Sequence, residues 1–230
     1  MAFRFDLETI EVKPDGEVLR IWLNRPESRN AHNQKMVEEV GDLFIALNSQ
    51  PDFRVAVLGG RGKSFCAGAD RKEQAAPAQN DRQARYIGQL GRRAARAIED
   101  CDLITIGRIH GHAIGGGCCF ATSCDFRLTT SDALFYVPEV ELGVPLPWGA
   151  TPRLIHEIGA ARARQMLITS ERVDGTKAAC SCTNGTHEHQ RSRTVPPALA
   201  DIGAMRLFAN RCKLLATDRV SYRIEASISV

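Results

Sequence analysis

Ile109-His110-Gly111-His112-Ala113-Ile114-Gly115-Gly116-Gly117-Cys118-Cys119 is the stretch around which the chain is organised. The apolar run at residues 103–109 leads into it, and a small-residue segment able to start a helix leaves it. Three successive glycines let the main chain approach a neighbour where a Cβ would obstruct it. At the mouth of a helix, backbone N–H groups lack intrahelical partners and have the positive end of the dipole behind them. Two uses fit such a turn: cradling an anion or a carbonyl oxygen that becomes one, or packing a helix closely on a strand.

The chain has 230 residues and 43% hydrophobic content, enough for one substantial core. No run approaches the roughly 18 apolar residues of a membrane span. Met1-Ala2-Phe3-Arg4-Phe5-Asp6 is charged too early for a secretory signal. A soluble cytoplasmic protein with no membrane partner is expected. The formal charge of +3 comes from interspersed signs and implies no nucleic acid. Among the eight cysteines, Cys118, Cys119 and Cys124 lie in an apolar segment and read as small buried thiols. Cys180-Ser181-Cys182 and His187-Glu188-His189 match no standard zinc spacing, so no metal is expected.

Leu19, Ile21 and Leu23 alternate, placing a strand at Val18–Leu23 that stops at Asn24-Arg25-Pro26. After Asn33, a possible cap, Met36, Val40, Leu43, Phe44 and Leu47 recur at helical spacing. Val55-Ala56-Val57-Leu58 is a short apolar strand. Asp81 opens a second helix with the stripe Tyr86, Ile87, Leu90, Ala94, Ala97 and Ile98, and a solvated face of Arg82, Arg85, Arg92, Arg93 and Arg96. Strands follow at Asp125-Phe126-Arg127-Leu128 and at residues 134–137. Strands and helices repeat in units, the mark of an α/β protein. Gly59-Gly60-Arg61-Gly62-Lys63-Ser64 has a P-loop flavour, but Val57 stands where the first glycine is required.

Four stretches together resemble the crotonase (enoyl-CoA hydratase/isomerase) superfamily. They are Leu23-Asn24-Arg25-Pro26-Glu27 with Arg29-Asn30-Ala31; Phe65-Cys66-Ala67-Gly68-Ala69-Asp70; Gly111 with Gly115-Gly116-Gly117 and Cys124-Asp125; and Pro138-Glu139 with Leu142-Gly143. The resemblance implies a spiral of ββα units, usually assembled as trimers or pairs of trimers, so a homotrimer or hexamer. It implies an acyl-CoA substrate, with coenzyme A as part of that substrate and no other cofactor. The backbone N–H groups of Ala69 and Gly116 would form an oxyanion hole for the thioester carbonyl. Coenzyme A would lie along Cys66, Ala67, Gly68 and Ala69, with Asp70 in the same loop and Lys72 and Arg29 as phosphate contacts.

Glu139 stands at the position of the family's catalytic glutamate, where desolvation beside an acyl pocket would raise its pKa. Hydratases of the family carry a second glutamate two residues after the third glycine; here that residue is Cys119, a weak donor that cannot orient water as a carboxylate does. An isomerase-like enzyme with one glutamate as proton shuttle is therefore favoured, with hydration or thioester hydrolysis, and non-catalytic acyl-CoA binding, as the alternatives. In an extended strand Glu141 would share a face with Glu139, as an auxiliary acid or a solvated side chain. Trp148 is a wall of the acyl pocket or a core residue. The resemblance covers roughly residues 5–179, and residues 1–179 are expected to be the acyl-CoA-binding core. Residues 180–230 depart from it and form an atypical C-terminal appendage, with a helical stripe at Leu199, Ile202, Met205, Phe208, Cys212 and Leu215.

Overall fold

The computed structural model describes residues 7–72 and 78–181. The expectations placed on Leu199–Leu215, Cys182, His187 and His189 lie outside those residues. In chain order the strands are Ile10–Asp15 (β1), Val18–Leu23 (β2), Val55–Gly60 (β3), Ile104–Ile109 (β4), His112–Ile114 (β5), Phe126–Thr129 (β6), Leu134–Tyr136 (β7) and Val173–Asp174 (β8). The α-helices are Gln34–Leu47 (α1), Asp81–Glu99 (α2), Gly116–Ser123 (α3), Ala150–Ile158 (α4), Ala160–Thr169 (α5) and Gly175–Ser181 (α6).

One sheet has the order β1-β2-β3-β4-β6, with β1 antiparallel to β2 and every later pair parallel. The second has the order β5-β7-β8. Parallel neighbours require crossovers, and α1 and α2 supply two of them between β2, β3 and β4. Asn33 starts α1 as expected: its Oδ1 accepts the Met36 N–H at 2.9 Å. The stripe Met36, Val40, Leu43, Phe44 and Leu47 is wholly buried, in one cluster with Leu19, Ile21 and Leu23 of β2. Gly41 lets α1 meet α2 closely, since a Cβ there would lie 3.3 Å from the Ala94 Cα. The five arginines of α2 stay exposed.

Between β2 and α1 the chain makes a tight turn in which Arg29 and Asn30 both adopt left-handed conformations, each with φ 55°. The fully buried Asn30 amide holds the turn. Its Oδ1 accepts the Arg25 N–H at 2.9 Å, and its Nδ2 donates to the Arg61 and Ser64 carbonyls at 2.8 and 2.7 Å. Gly60 must lack a Cβ to admit this amide, which stands 2.8 Å from where that Cβ would be.

Glu139–Leu142 corrects one expectation. It is a 3-10 helix entered from Pro138, so residues 139 and 141 do not share a strand face. Glu139 is buried at 8% exposure, whereas Glu141 is exposed and accepts the Tyr136 hydroxyl at 2.7 Å. No helix among the described residues is long and apolar enough to cross a membrane.

Replacing Asn30 with alanine removes three hydrogen bonds at once and orphans buried backbone groups. Asn30→Ala is expected to lose about 3 kcal/mol or more in urea unfolding, at roughly 1 kcal/mol per bond plus the desolvated partners.

Candidate active site

The loop between β3 and α2 is threaded between two segments by backbone hydrogen bonds. On one side Phe65 N–H donates to His110 O and Cys66 N–H to His112 O, both at 2.8 Å, and Ile114 N–H donates to Cys66 O at 3.0 Å. On the other, Ala67 N–H donates to Arg29 O at 3.1 Å, His32 N–H to Gly68 O at 2.8 Å and Asp70 N–H to His32 O at 2.9 Å. His32 and Ala69 are thus paired as in a parallel ladder. In that pattern the Ala69 N–H points away from the His32 strand, and among the described residues no acceptor takes it.

Gly115, with φ 51°, ends β5 and caps α3. Its own N–H is taken by Tyr136 O at 2.9 Å. The next N–H, that of Gly116, opens α3, and a first-turn donor has no partner within its helix. The glycine triplet explains how so much converges here. A Cβ at 115 would stand 2.6 Å from Glu139 Oε1; one at 116 would run into His32 Nε2 and lie 2.8 Å from Trp148 Cη2; one at 117 would sit 2.5 Å from the Cys66 carbonyl. The structure therefore brings Gly116, Glu139, Trp148 and the Cys66–Asp70 loop together. Arg29 and Lys72 are exposed near the ends of the paired segments. Asp70 forms an ion pair with Arg25 at 2.8 Å and accepts the Lys72 N–H at 3.0 Å, which pins the loop to the turn before α1.

The Glu139 carboxyl is the acidic side chain that lies against Gly115. Its Oε2 is buried and has no hydrogen-bond partner among the described residues. Burial disfavours the charged form and outweighs a hydrogen bond from the residue's own backbone, raising the pKa above the ordinary carboxylate value of 4.5. Cys119 is also buried, its Sγ directed to Pro147 O at 3.8 Å; desolvation holds its pKa well above 9.0, so it is a neutral thiol.

Three residues escaped the sequence reading. His32 follows Ala31 directly, and burial pushes its pKa down to about 4. Its ring lies 4.9 Å from that of Trp148 and 6.3 Å from that of Phe120, which is 5.1 Å from Trp148. Trp148 adopts φ 66°, costly for a bulky residue, and its indole is wedged between Gly116 and Gly91 of α2. Phe120 lies one turn into α3 from Gly116. Arg25 was read as the end of a strand. The glycine triplet was the one available signal that side chains crowd this turn.

A family model described as enoyl-CoA hydratase/isomerase matches residues 14–181. The chain belongs to this family. A crotonyl-CoA hydratase of Syntrophomonas wolfei is 36% identical over 174 residues, covering 74% of this chain and 65% of the relative. A peroxisomal Delta(3,5)-Delta(2,4)-dienoyl-CoA isomerase of Arabidopsis thaliana is 34% identical over 183 residues, covering 75% and 66%. The chain thus matches just under two thirds of the length of these curated relatives. Among solved structures, a putative enoyl-CoA hydratase of Thermobifida fusca in complex with acetoacetyl-CoA superposes with a TM-score of 0.79 at 26% identity, covering 96% of this chain and 88% of that one. The α/β spiral of this enoyl-CoA hydratase/isomerase member is that of the crotonases.

The orphaned carboxylate has a consequence for stability. A raised pKa means that the folded state favours neutral Glu139, so its contribution is fully present below the unfolded pKa and is lost as pH rises through the folded one. Glu139→Gln is expected to melt a few degrees above wild type at mildly alkaline pH, with the gap closing below about pH 4; thermal scans across pH check this. Gly117→Ala is expected to melt lower than Gly116→Ala, despite the roughly 1 kcal/mol helix preference for alanine, because its Cβ meets a backbone carbonyl rather than ring edges.

Proposed function

We propose that the protein is an acyl-CoA enzyme that forms a thioester enolate, acting as an enoyl-CoA isomerase with Glu139 as its single proton shuttle. One observation carries this: a buried carboxyl with one unpartnered oxygen lies against Gly115, one residue from a helix-opening N–H, while a neutral thiol occupies the place of a second acid. The acetoacetyl-CoA complex of the Thermobifida fusca neighbour supports an acyl-CoA ligand. The dienoyl-CoA isomerase among the relatives supports double-bond migration.

The chemistry follows from the geometry. Glu139 removes a proton from C2 of a 3-enoyl thioester, and the electron pair moves toward the carbonyl oxygen. The N–H groups of Ala69 and Gly116 stabilise the resulting oxyanion without reorganising, each worth about 3 kcal/mol in comparable sites. The same carboxyl returns the proton to C4, leaving the double bond between C2 and C3. A raised pKa suits a group that must both take and give a proton near neutrality. The coenzyme A moiety would run along the Cys66–Asp70 loop, with Arg29 and Lys72 at its phosphates. Assembly as a homotrimer or hexamer belongs to the same proposal.

Hydration of a 2-enoyl-CoA is the second reading, favoured by the crotonyl-CoA hydratase relative. Cys119 weighs against it, because a buried neutral thiol does not orient water.

Conversion of 3-enoyl-CoA to 2-enoyl-CoA is expected to exceed hydration of 2-enoyl-CoA by the same preparation. Glu139→Gln should lower the isomerase rate by about 10²- to 10⁴-fold, and unchanged turnover in that variant would sink the assignment. Faster hydration than isomerisation would promote the second reading.

A further inference from the structure

His32 takes no part in the reaction above, yet it stands between the two proposed donors. Its backbone pairs with Ala69, and its Nε2 reaches the place a Cβ of Gly116 would occupy. The ring packs on Trp148 and presents an edge to the fully buried Phe120. Among the described residues, neither ring nitrogen has a hydrogen-bond partner. Asp70 and Arg25 reach it only through space and pull in opposite directions, leaving burial to keep the imidazole neutral. A neutral imidazole offers one N–H donor and one acceptor nitrogen. The side chain is half-buried, so its unpartnered nitrogens are open to a ligand or water that completes them.

We propose that His32 is a specificity-determining residue, whose imidazole hydrogen-bonds to an oxygen on the acyl chain close to the thioester. The site thereby selects oxygen-bearing acyl-CoA thioesters over plain hydrocarbon ones of the same length. This rests on the acyl-CoA reading of the site and not on the identity of the reaction. The tautomer adjusts to the partner: a carbonyl oxygen takes the N–H, and a hydroxyl satisfies either nitrogen.

Acetoacetyl-CoA and butyryl-CoA test it, because they have the same chain length, differ in one oxygen, and carry no double bond to migrate. Calorimetric titration at mildly acidic pH keeps the probe mainly as ketone while His32 remains neutral. Wild-type protein is expected to bind acetoacetyl-CoA about ten-fold more tightly than butyryl-CoA. His32→Phe keeps a ring on Trp148 but removes both nitrogens, and should bring the ratio close to one, with the loss falling on acetoacetyl-CoA. His32→Leu serves the same comparison if the phenylalanine variant does not fold. Equal affinities in wild type, or an undiminished ratio in the variant, would overturn this inference and leave the acyl-CoA reading standing. Wild-type protein that binds neither thioester would overturn both.

Discussion

No position of the turn Gly115-Gly116-Gly117 has room for a Cβ, and the rest of the site is arranged on that constraint. Each missing methylene admits a different neighbour: the Glu139 carboxylate at 115, the His32 and Trp148 rings at 116, and the Cys66 carbonyl at 117. The neighbours come from four separate parts of the chain. A backbone stripped to hydrogens is the one surface they can share at van der Waals distance. It is also why α3 can aim its first N–H groups into the centre while its remaining turns, Cys118 to Ala121, stay in the core.

Burial works on Glu139 and His32 in opposite directions and to one end. It raises the pKa of Glu139 and lowers that of His32, so both are driven toward their neutral forms. The nearby ion pair of Arg25 and Asp70 does not reverse this, because its two charges act on His32 with opposite signs. A carboxyl in such surroundings holds a proton more tightly than one in water, and the proposed oxyanion would meet fixed dipoles rather than competing charges. The arrangement lowers stability at neutral pH, a familiar expense of sites that do chemistry.

Local patterns in the sequence carried much of the fold. Alternation bounded by Asn24-Arg25-Pro26 located β2, and the Asn33 cap with its apolar stripe located α1, because each is decided within a few residues. β1 was not legible: its charges and Pro14 break the pattern, and an edge strand tolerates both. Glu139-Val140-Glu141-Leu142 alternates like a strand but folds as a 3-10 turn between Pro138 and the left-handed Gly143, with φ 70°. For the site, the motifs supplied the glycines and Glu139, whereas His32 was invisible because its position comes from pairing with a distant loop. The wedge of Trp148 between two helices is likewise tertiary, and no periodicity announces a tryptophan at φ 66°.

Cys119 ties the electrostatics to the choice of reaction. Glu139 already contributes to keeping the Cys119 thiol protonated, which means the two side chains feel each other inside the same poorly solvated space. A second carboxylate at 119 would add like charge there and push both acids up further, unless water or another donor entered to compensate. With a neutral thiol instead, Glu139 is the stronger proton acceptor of the two. Under the proposed reaction, a proton taken from the substrate would return through Glu139, and such a centre would suit a reaction that begins and ends on the same carboxyl.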